Sequence, residues 1–278
     1  MQETIRVVDD ASYDKKWHEL AAQARAEARD HLPDVEALER IERAASKARD
    51  ALGGDDVRAH SVLIDPTMWV LPPLALPHET LSSMRISRGD AFAVAGCPVD
   101  PETNWLLFCT SFVFGYGTSG VGPSRLERIL RQTPPADLQD LIAKVRQLLA
   151  HHGPLRAYDY LRGDKQRGTV PYWGPAFYTK LLYFASTPGG PGSALILDNQ
   201  TAWMVSVITG MDRFVDQQNR SERWTAYRYG VYLAWMTEVS SQLEVQPDFL
   251  EYALFMEAKR RRRRLTDKHR QQDGRVVG

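Results

Sequence analysis

The chain of 278 residues can hold one large domain or two small ones, and 43% hydrophobic with 25% charged residues is an ordinary soluble, globular balance. The formal charge is zero but uneven: residues 259–278 carry a net +7 and the remainder a net −7, so a basic C-terminal stretch is available to a polyanionic partner. Only Cys97 and Cys109 are present, with no CxxC or Cys/His cluster, which argues against a disulfide framework and a zinc site and for a reducing cytoplasm; MQETIRVVDD has no apolar signal core, and the apolar run 105–114 is too short to cross a bilayer.

Residues 13–52 predict one or two solvated helices, WHELAAQARAEARDHL and DVEALERIERAASKARDAL, rich in strong helix formers and supported by Glu39→Arg43 at i,i+4. Their apolar stripe is thin (Val35, Leu38, Ile41, Ala45), and ALGGDD stops the second helix. Residues 1–58 therefore read as an N-terminal helical extension without chemistry of its own. Four prolines in 60–80 predict an extended segment wrapped on a core, and LSSMRISRGDAFAVAG starts the main body, expected to span 59–265. Asp100 and Pro101 open a helix through WLLFCTSFVF, with Asp100 as N-cap. GPSRLERIL is a helix opening at Pro123, PPADLQDLIAKVRQLLAHHG one ended by Gly153, and PLRAYDYLRG a short one ended by Gly163. The apolar helix in VPYWGPAFYTKLLYFA follows, then ALILDNQTAWMVSVITG, RWTAYRYGVYLAWMTEV and a last helix with a Phe249, Leu250, Ala253, Leu254, Met256 stripe. Residues 266–278 read as a basic, disordered tail. With few alternating segments, the fold class is mainly α.

GYGTSG (115–120) matches GxGxxG, but no βαβ pattern follows, so a dinucleotide-binding reading is remote. It is either a turn between helices or a place where backbone approaches a ligand, with Tyr116, Trp105 and Phe112 available to line a pocket. Lys180 is the anomaly of the following helix: its neighbours at helical spacing are Ala176, Phe177, Tyr183 and Phe184. It is either a snorkelling side chain or an amine held for a purpose. Eighteen residues on, Asp198 follows Leu195-Ile196-Leu197 and sits where a helix N-cap belongs, fixed by backbone N–H groups.

GPAFYTKLLYFA…ALILDNQTAWMV resembles the helix–hairpin–helix DNA glycosylases, most of all the 8-oxoguanine branch and its archaeal members, over residues 85–257. The resemblance implies two helical subdomains with the active site between them. It makes Lys180 the nucleophile and Asp198 the catalytic carboxylate. The hairpin departs from the family's L-P-G-V-G: VPYWG keeps Pro171 and Gly174 but has Tyr172 at the first glycine, and Ala176 stands where many members carry the lysine, one turn before Lys180. Gly174 and Ala176, at the N-terminus of that helix, with Lys165 and Arg167 in GDKQRG, would contact phosphates.

By this resemblance, burial among Phe177, Tyr183 and Phe184 favours the neutral amine, which attacks C1′ of a flipped nucleotide while Asp198 stabilises the developing charge. Trp105, Phe112, Tyr116, Trp173, Gln200 and Trp203 are the candidates for the base pocket, each with a plain structural role as the alternative. Arg260 and Arg261 in the arginine run would add phosphate attraction, against the alternative of a solvated helix end. The implied activity is a DNA glycosylase with AP lyase action on an oxidised purine, 8-oxoguanine first. It acts as a monomer on double-stranded DNA carrying a modified base, needs no cofactor or metal, and does not associate with a membrane. The competing readings are a glycosylase for another modified base, including one in foreign (phage) DNA, and a noncatalytic helical DNA-binding module.

Overall fold

The computed structural model describes residues 10–69, 84–163, 170–186, 193–211 and 224–273. Among them are ten α-helices and one two-stranded antiparallel sheet, so the fold is mainly α. Lys165 and Arg167 lie outside the described residues.

Helix α1 (Asp10–Asp30) lies along α9 (Ala226–Gln242), and α2 (Val35–Leu52) along α10 (Pro247–Asp273). Small residues set these crossings: a Cβ on Gly230 of α9 would stand 3.2 Å from the Ala24 Cβ of α1. The Trp235 indole donates to the His31 carbonyl at 3.0 Å, and Glu27 accepts from the Tyr227 hydroxyl at 2.6 Å while pairing with Arg228. Trp17, Ala24, Ala28 and Ile41 thereby join the same apolar cluster as Phe108 and Tyr229. The buried face of α2 is Ala37, Ile41, Ala44, Ala45 and Ala48, whereas Val35, expected on the stripe, is exposed in the first turn. A helix that approaches its neighbour closely buries alanine, which a search for large apolar residues overlooks.

Strands β1 (Ser61–Leu63) and β2 (Arg85–Ser87) pair antiparallel, and Ser87 with Asp90 forms a capping box that opens α3 (Arg88–Ala95). Helix α4 (Pro101–Tyr116), capped by Asp100, is the most enclosed element, buried from Trp105 to Phe114 apart from Leu106. Helix α5 (Val121–Gln132) opens two residues before Pro123; that proline falls in the first turn, where an N–H has no partner within the helix. The long α6 (Pro135–Arg162) breaks at Gly153 (φ 76°, ψ −178°), giving the two expected pieces, 135–152 and 154–162. Both α6 and α7 (Pro175–Ala185) pack on α4. Before α7, Tyr172 has φ 65°, the left-handed conformation that glycine adopts freely, at the position where the resemblance calls for glycine. For a tyrosine this conformation costs on the order of 1–2 kcal/mol.

Between α7 and α8 (Asn199–Thr209) runs an extended segment, 193–198, whose Ala194, Leu195, Ile196 and Leu197 are buried with no partner strand among the described residues. Side-chain hydroxyls satisfy five of its backbone groups. Tyr229 accepts from Leu195 N (3.2 Å) and donates to Leu195 O (2.9 Å), Tyr232 donates to Ile196 O (2.7 Å), and Thr179 bonds both polar groups of Leu197.

A second buried tie joins elements distant in sequence. Arg88 of α3 meets Glu251 of α10 at 2.7 Å, with 2% and 1% of the two side chains exposed. The same guanidinium donates to His60 Nδ1 and to the Tyr183 hydroxyl, each at 3.2 Å, and that hydroxyl donates to Asp248 at 3.1 Å. At the end of the chain, α10 continues to Asp273, so the tail expected to be disordered from residue 266 is helical backbone as far as that residue. Extending a helix already nucleated by the packed Phe249–Ala258 face costs little in a sequence of Arg, Leu, Lys and Gln.

Removing one partner of a buried ion pair strands the other. Arg88→Met is expected to lower stability by about 3–5 kcal/mol in urea unfolding. The double variant Arg88→Met, Glu251→Leu should regain much of that loss.

Candidate active site

Lys180 and Asp198 meet in a cavity of about 440 Å³. The lysine Nζ is 3.8 Å from Asp198 Oδ2, with 9% and 16% of the side chains exposed. Asp198 divides its carboxylate: Oδ1 accepts from Gln200 N (2.9 Å) and Thr201 N (3.0 Å) as the N-cap of α8, and Oδ2 faces the amine. Lys180 leans toward its own helix N-terminus, as helical side chains do, and donates to the Ala176 carbonyl at 3.2 Å. The amine is therefore held close to the backbone of Ala176, one turn before its own position.

The pairing depends on the residues next door. Thr179 Oγ1 donates to Leu197 O (3.0 Å) and accepts from Leu197 N (3.1 Å). This reciprocal contact fixes α7 against the extended segment one residue before each member of the pair. The opposite wall comes from the glycine-rich turn. A Cβ on Gly115 would stand 2.5 Å from the Phe177 ring and 3.1 Å from Lys180 Cδ, so only glycine leaves room for both. Gly117 turns the chain at φ 55°, and the turn lines the cavity from Gly115 to Thr118. GYGTSG is thus both the helix-connecting turn and a wall of the site.

Of the residues expected to line a base pocket, Tyr116 lines this cavity, with its ring stacked on Phe177 at 4.5 Å. Trp105, Phe112 and Trp173 instead pack around Phe108 in the core (ring centroids 5.4, 5.7 and 5.2 Å) and are not in the cavity lining. On a helix as enclosed as α4, aromatic rings face inward all round, so their presence nearby does not single out a pocket. Gln200 and Trp203 follow the cap into α8 and also leave the lining; Trp203 lies under the Arg262 guanidinium at 5.1 Å. Gly174 caps α7 through its carbonyl, which accepts from Phe177 N at 2.9 Å. Arg260 and Arg261 both pair with Glu257, at 2.8 and 2.9 Å. A larger hollow of about 700 Å³, bordered by Trp17, His151, Leu233 and Asp248, holds neither Lys180 nor Asp198.

The cavity also contains residues that the sequence reading did not single out: His60, Arg85, Arg88, Glu251, Phe255 and Lys259. The His60 imidazole is held far below its ordinary range, at about 3, by burial and by the nearby Arg88, Lys259 and Arg85 cations; it is a neutral ring whose Nδ1 accepts from Arg88. Burial raises Glu251 to about 7 while Arg88 opposes the shift; the neighbouring Asp198 adds to the rise and Lys180 works against it. Glu251 had a signal in the sequence: it is a charge inside the apolar FLEYALF, the same anomaly that marked Lys180. Among the described residues no cluster of three His, Cys, Asp or Glu side chains could hold a metal, and no helix is long and apolar enough to cross a membrane.

A family model described as "Putative 8-oxoguanine DNA glycosylase OGG-like protein" matches residues 55–255. The chain belongs to this OGG-like family. The match covers both sides of the cavity, from His60 to Phe255, and includes Lys180 and Asp198. No curated protein matches the chain, and no solved structure does.

Thr179→Val keeps the shape of the side chain but leaves both polar groups of Leu197 unpaired in the interior. It should cost about 1–3 kcal/mol in urea unfolding. Thr179→Ser, which restores the hydroxyl, should recover most of that loss.

Proposed function

We propose that this protein is a DNA glycosylase with AP lyase activity that removes an oxidised purine, 8-oxoguanine in the first instance, from double-stranded DNA through a Schiff base on Lys180. The observation that carries the reading is the Nζ–Oδ2 distance of 3.8 Å inside a cavity of about 440 Å³, with the carboxylate held by a helix cap. A cavity of that order takes a flipped base, and the aromatic residues Tyr116 and Phe255 line its wall. The helix 154–162, the turn at Tyr172 and α7 would form the helix–hairpin–helix that presents backbone N–H groups to a phosphate.

Lys180 first loses a proton, for which Asp198 Oδ2 is suitably placed. The free amine then bonds to C1′ as the bond from C1′ to the base breaks. The bonding electrons leave with the base, which takes up the proton that Asp198 accepted from Lys180, so that Asp198 is a carboxylate again. Positive charge that develops on the sugar is met by the Asp198 carboxylate, pre-oriented by the α8 N–H groups and therefore needing no reorganisation. Nζ then loses a proton and O4′ takes one up as the C1′–O4′ bond breaks, and this opening of the sugar ring gives the Schiff base between Nζ and C1′. Loss of a proton from C2′ then expels the 3′ phosphate by β-elimination, and hydrolysis frees the lysine.

A panel of duplexes, each with one modified base, tests this reading by base release and by borohydride trapping. The 8-oxoguanine duplex should give a covalent complex that Lys180→Ala abolishes, and Asp198→Asn should slow its formation by roughly 10²-fold or more. Release of a different base would move the substrate within the same chemistry. Strand breaks appearing only after alkali would remove the lyase step, and binding without base release or trapping would favour a noncatalytic module.

A further inference from the structure

His60 is held by its main chain and by its ring. It closes a short 3-10 turn (Val57–Ala59), where its N–H donates to Val57 O at 3.0 Å and its carbonyl accepts from Arg88 N at 2.9 Å. Arg88 Nε donates to the same residue's Nδ1 at 3.2 Å. Tyr252 and Phe255 tilt against the imidazole with ring centroids 4.7 and 6.2 Å away, and Phe114 meets it at a right angle at 5.7 Å. Side chains of α3, α4 and α10 thus fix the orientation of a ring that lines the cavity.

The same hold decides where the imidazole keeps its proton. A ring nitrogen that accepts from a guanidinium carries no hydrogen of its own, so the proton sits on Nε2. Burial and the surrounding cations keep a second proton off the ring. Nε2–H is therefore a fixed donor near neutral pH. It has no hydrogen-bond partner among the described residues, and it is not sealed in the interior. The groups beside it are committed. Arg88 divides itself among His60, Tyr183 and Glu251, while Lys180 donates to Ala176 O and faces Asp198.

We propose that His60 Nε2–H donates to a carbonyl oxygen of the everted base, and so selects a base that brings an acceptor to this wall. The assignment rests on the glycosylase reading and deepens it by naming a specificity-determining contact. An oxidised purine such as 8-oxoguanine carries ring carbonyl oxygens at C6 and C8, whereas adenine carries none. Because Arg88 fixes the tautomer, the imidazole cannot turn from donor into acceptor to suit a different base. A base presenting an N–H at this place meets a second donor and is disfavoured.

The test compares single-turnover base release from the 8-oxoguanine duplex, measured below saturation, with borohydride trapping on a duplex whose abasic site is already formed and offers a sugar without a base. His60→Asn leaves Arg88 an acceptor near the δ position but has no donor at the ε position. Its loss should be about tenfold greater on the 8-oxoguanine duplex than on the abasic one, the worth of one hydrogen bond. His60→Gln, which carries an amide N–H at the ε position, should recover most of that difference. In the unaltered protein, isotope-labelled histidine should show by NMR a neutral ring protonated at Nε2, and that resonance should shift on binding an uncleavable 2′-fluoro-8-oxoguanine duplex; this readout holds even where a variant does not fold. Equal losses on the two duplexes, an unaffected His60→Asn, or no shift at Nε2 would overturn the assignment while leaving the glycosylase reading intact. Release of a base that has no carbonyl oxygen would overturn it as well. Failure of the unaltered protein to release any base of the panel would remove that reading and this inference with it.

Discussion

The hydroxyl of Thr179, bonded to both backbone groups of Leu197, is the contact on which the arrangement of the site depends. Segment 193–198 is extended and largely buried, yet among the described residues no strand pairs with it to satisfy its N–H and C=O groups. An unpaired amide or carbonyl in such a place costs on the order of 1–3 kcal/mol, so the segment is stable only where side chains replace the missing ladder. Thr179, Tyr229 and Tyr232 do so at three successive residues. The contact at Leu197 has a further consequence, because the residues that follow each partner are Lys180 and Asp198. Register between a helix and an unpaired segment is thereby converted into the distance between an amine and a carboxylate.

Behind that pair, the Arg88–Glu251 bridge serves a different purpose. Buried ion pairs add little net stability, since desolvation offsets their attraction. This one links α3 to α10 and, through Tyr183 and His60, to α7 and the approach to β1. Its carboxylate faces the same cavity as Lys180, which makes Glu251 part of the local electrostatics as well as of the frame. Charged groups concentrate where a cavity needs field and orientation, and they are compensated one by one: Arg88 by Glu251, and Asp198 by the cap and the lysine.

The residues legible in the sequence were those that broke a pattern. Lys180 interrupts an apolar helix and Asp198 ends an apolar triplet, and the two share a cavity. Gly153, Asp100 and the turn at 115–120 act through backbone geometry that residue type reveals directly. The aromatic candidates were not legible, because a Trp or Phe at helical spacing fits core and pocket equally; Trp105, Phe112 and Trp173 went to the core and Tyr116 to the wall. Thr179 gave no signal, since its role lies in a contact across eighteen residues with a backbone. Glu251 and Lys259 could have been found by extending the i, i+4 row from Phe255, which the apolar stripe of the same helix obscured. The arginine run showed its charge in the sequence, but its directions depend on Glu257 and Trp203, which only packing decides.

The central claim is that one particular amine, held against one particular carboxylate, makes the covalent bond to the sugar. The most direct measurement is tandem mass spectrometry of the borohydride-reduced protein–DNA complex after proteolysis and nuclease digestion. The account predicts a deoxyribose-derived adduct on the peptide containing Lys180, at that side chain. An adduct on Lys259, on the N-terminal amine or on any other lysine would contradict it.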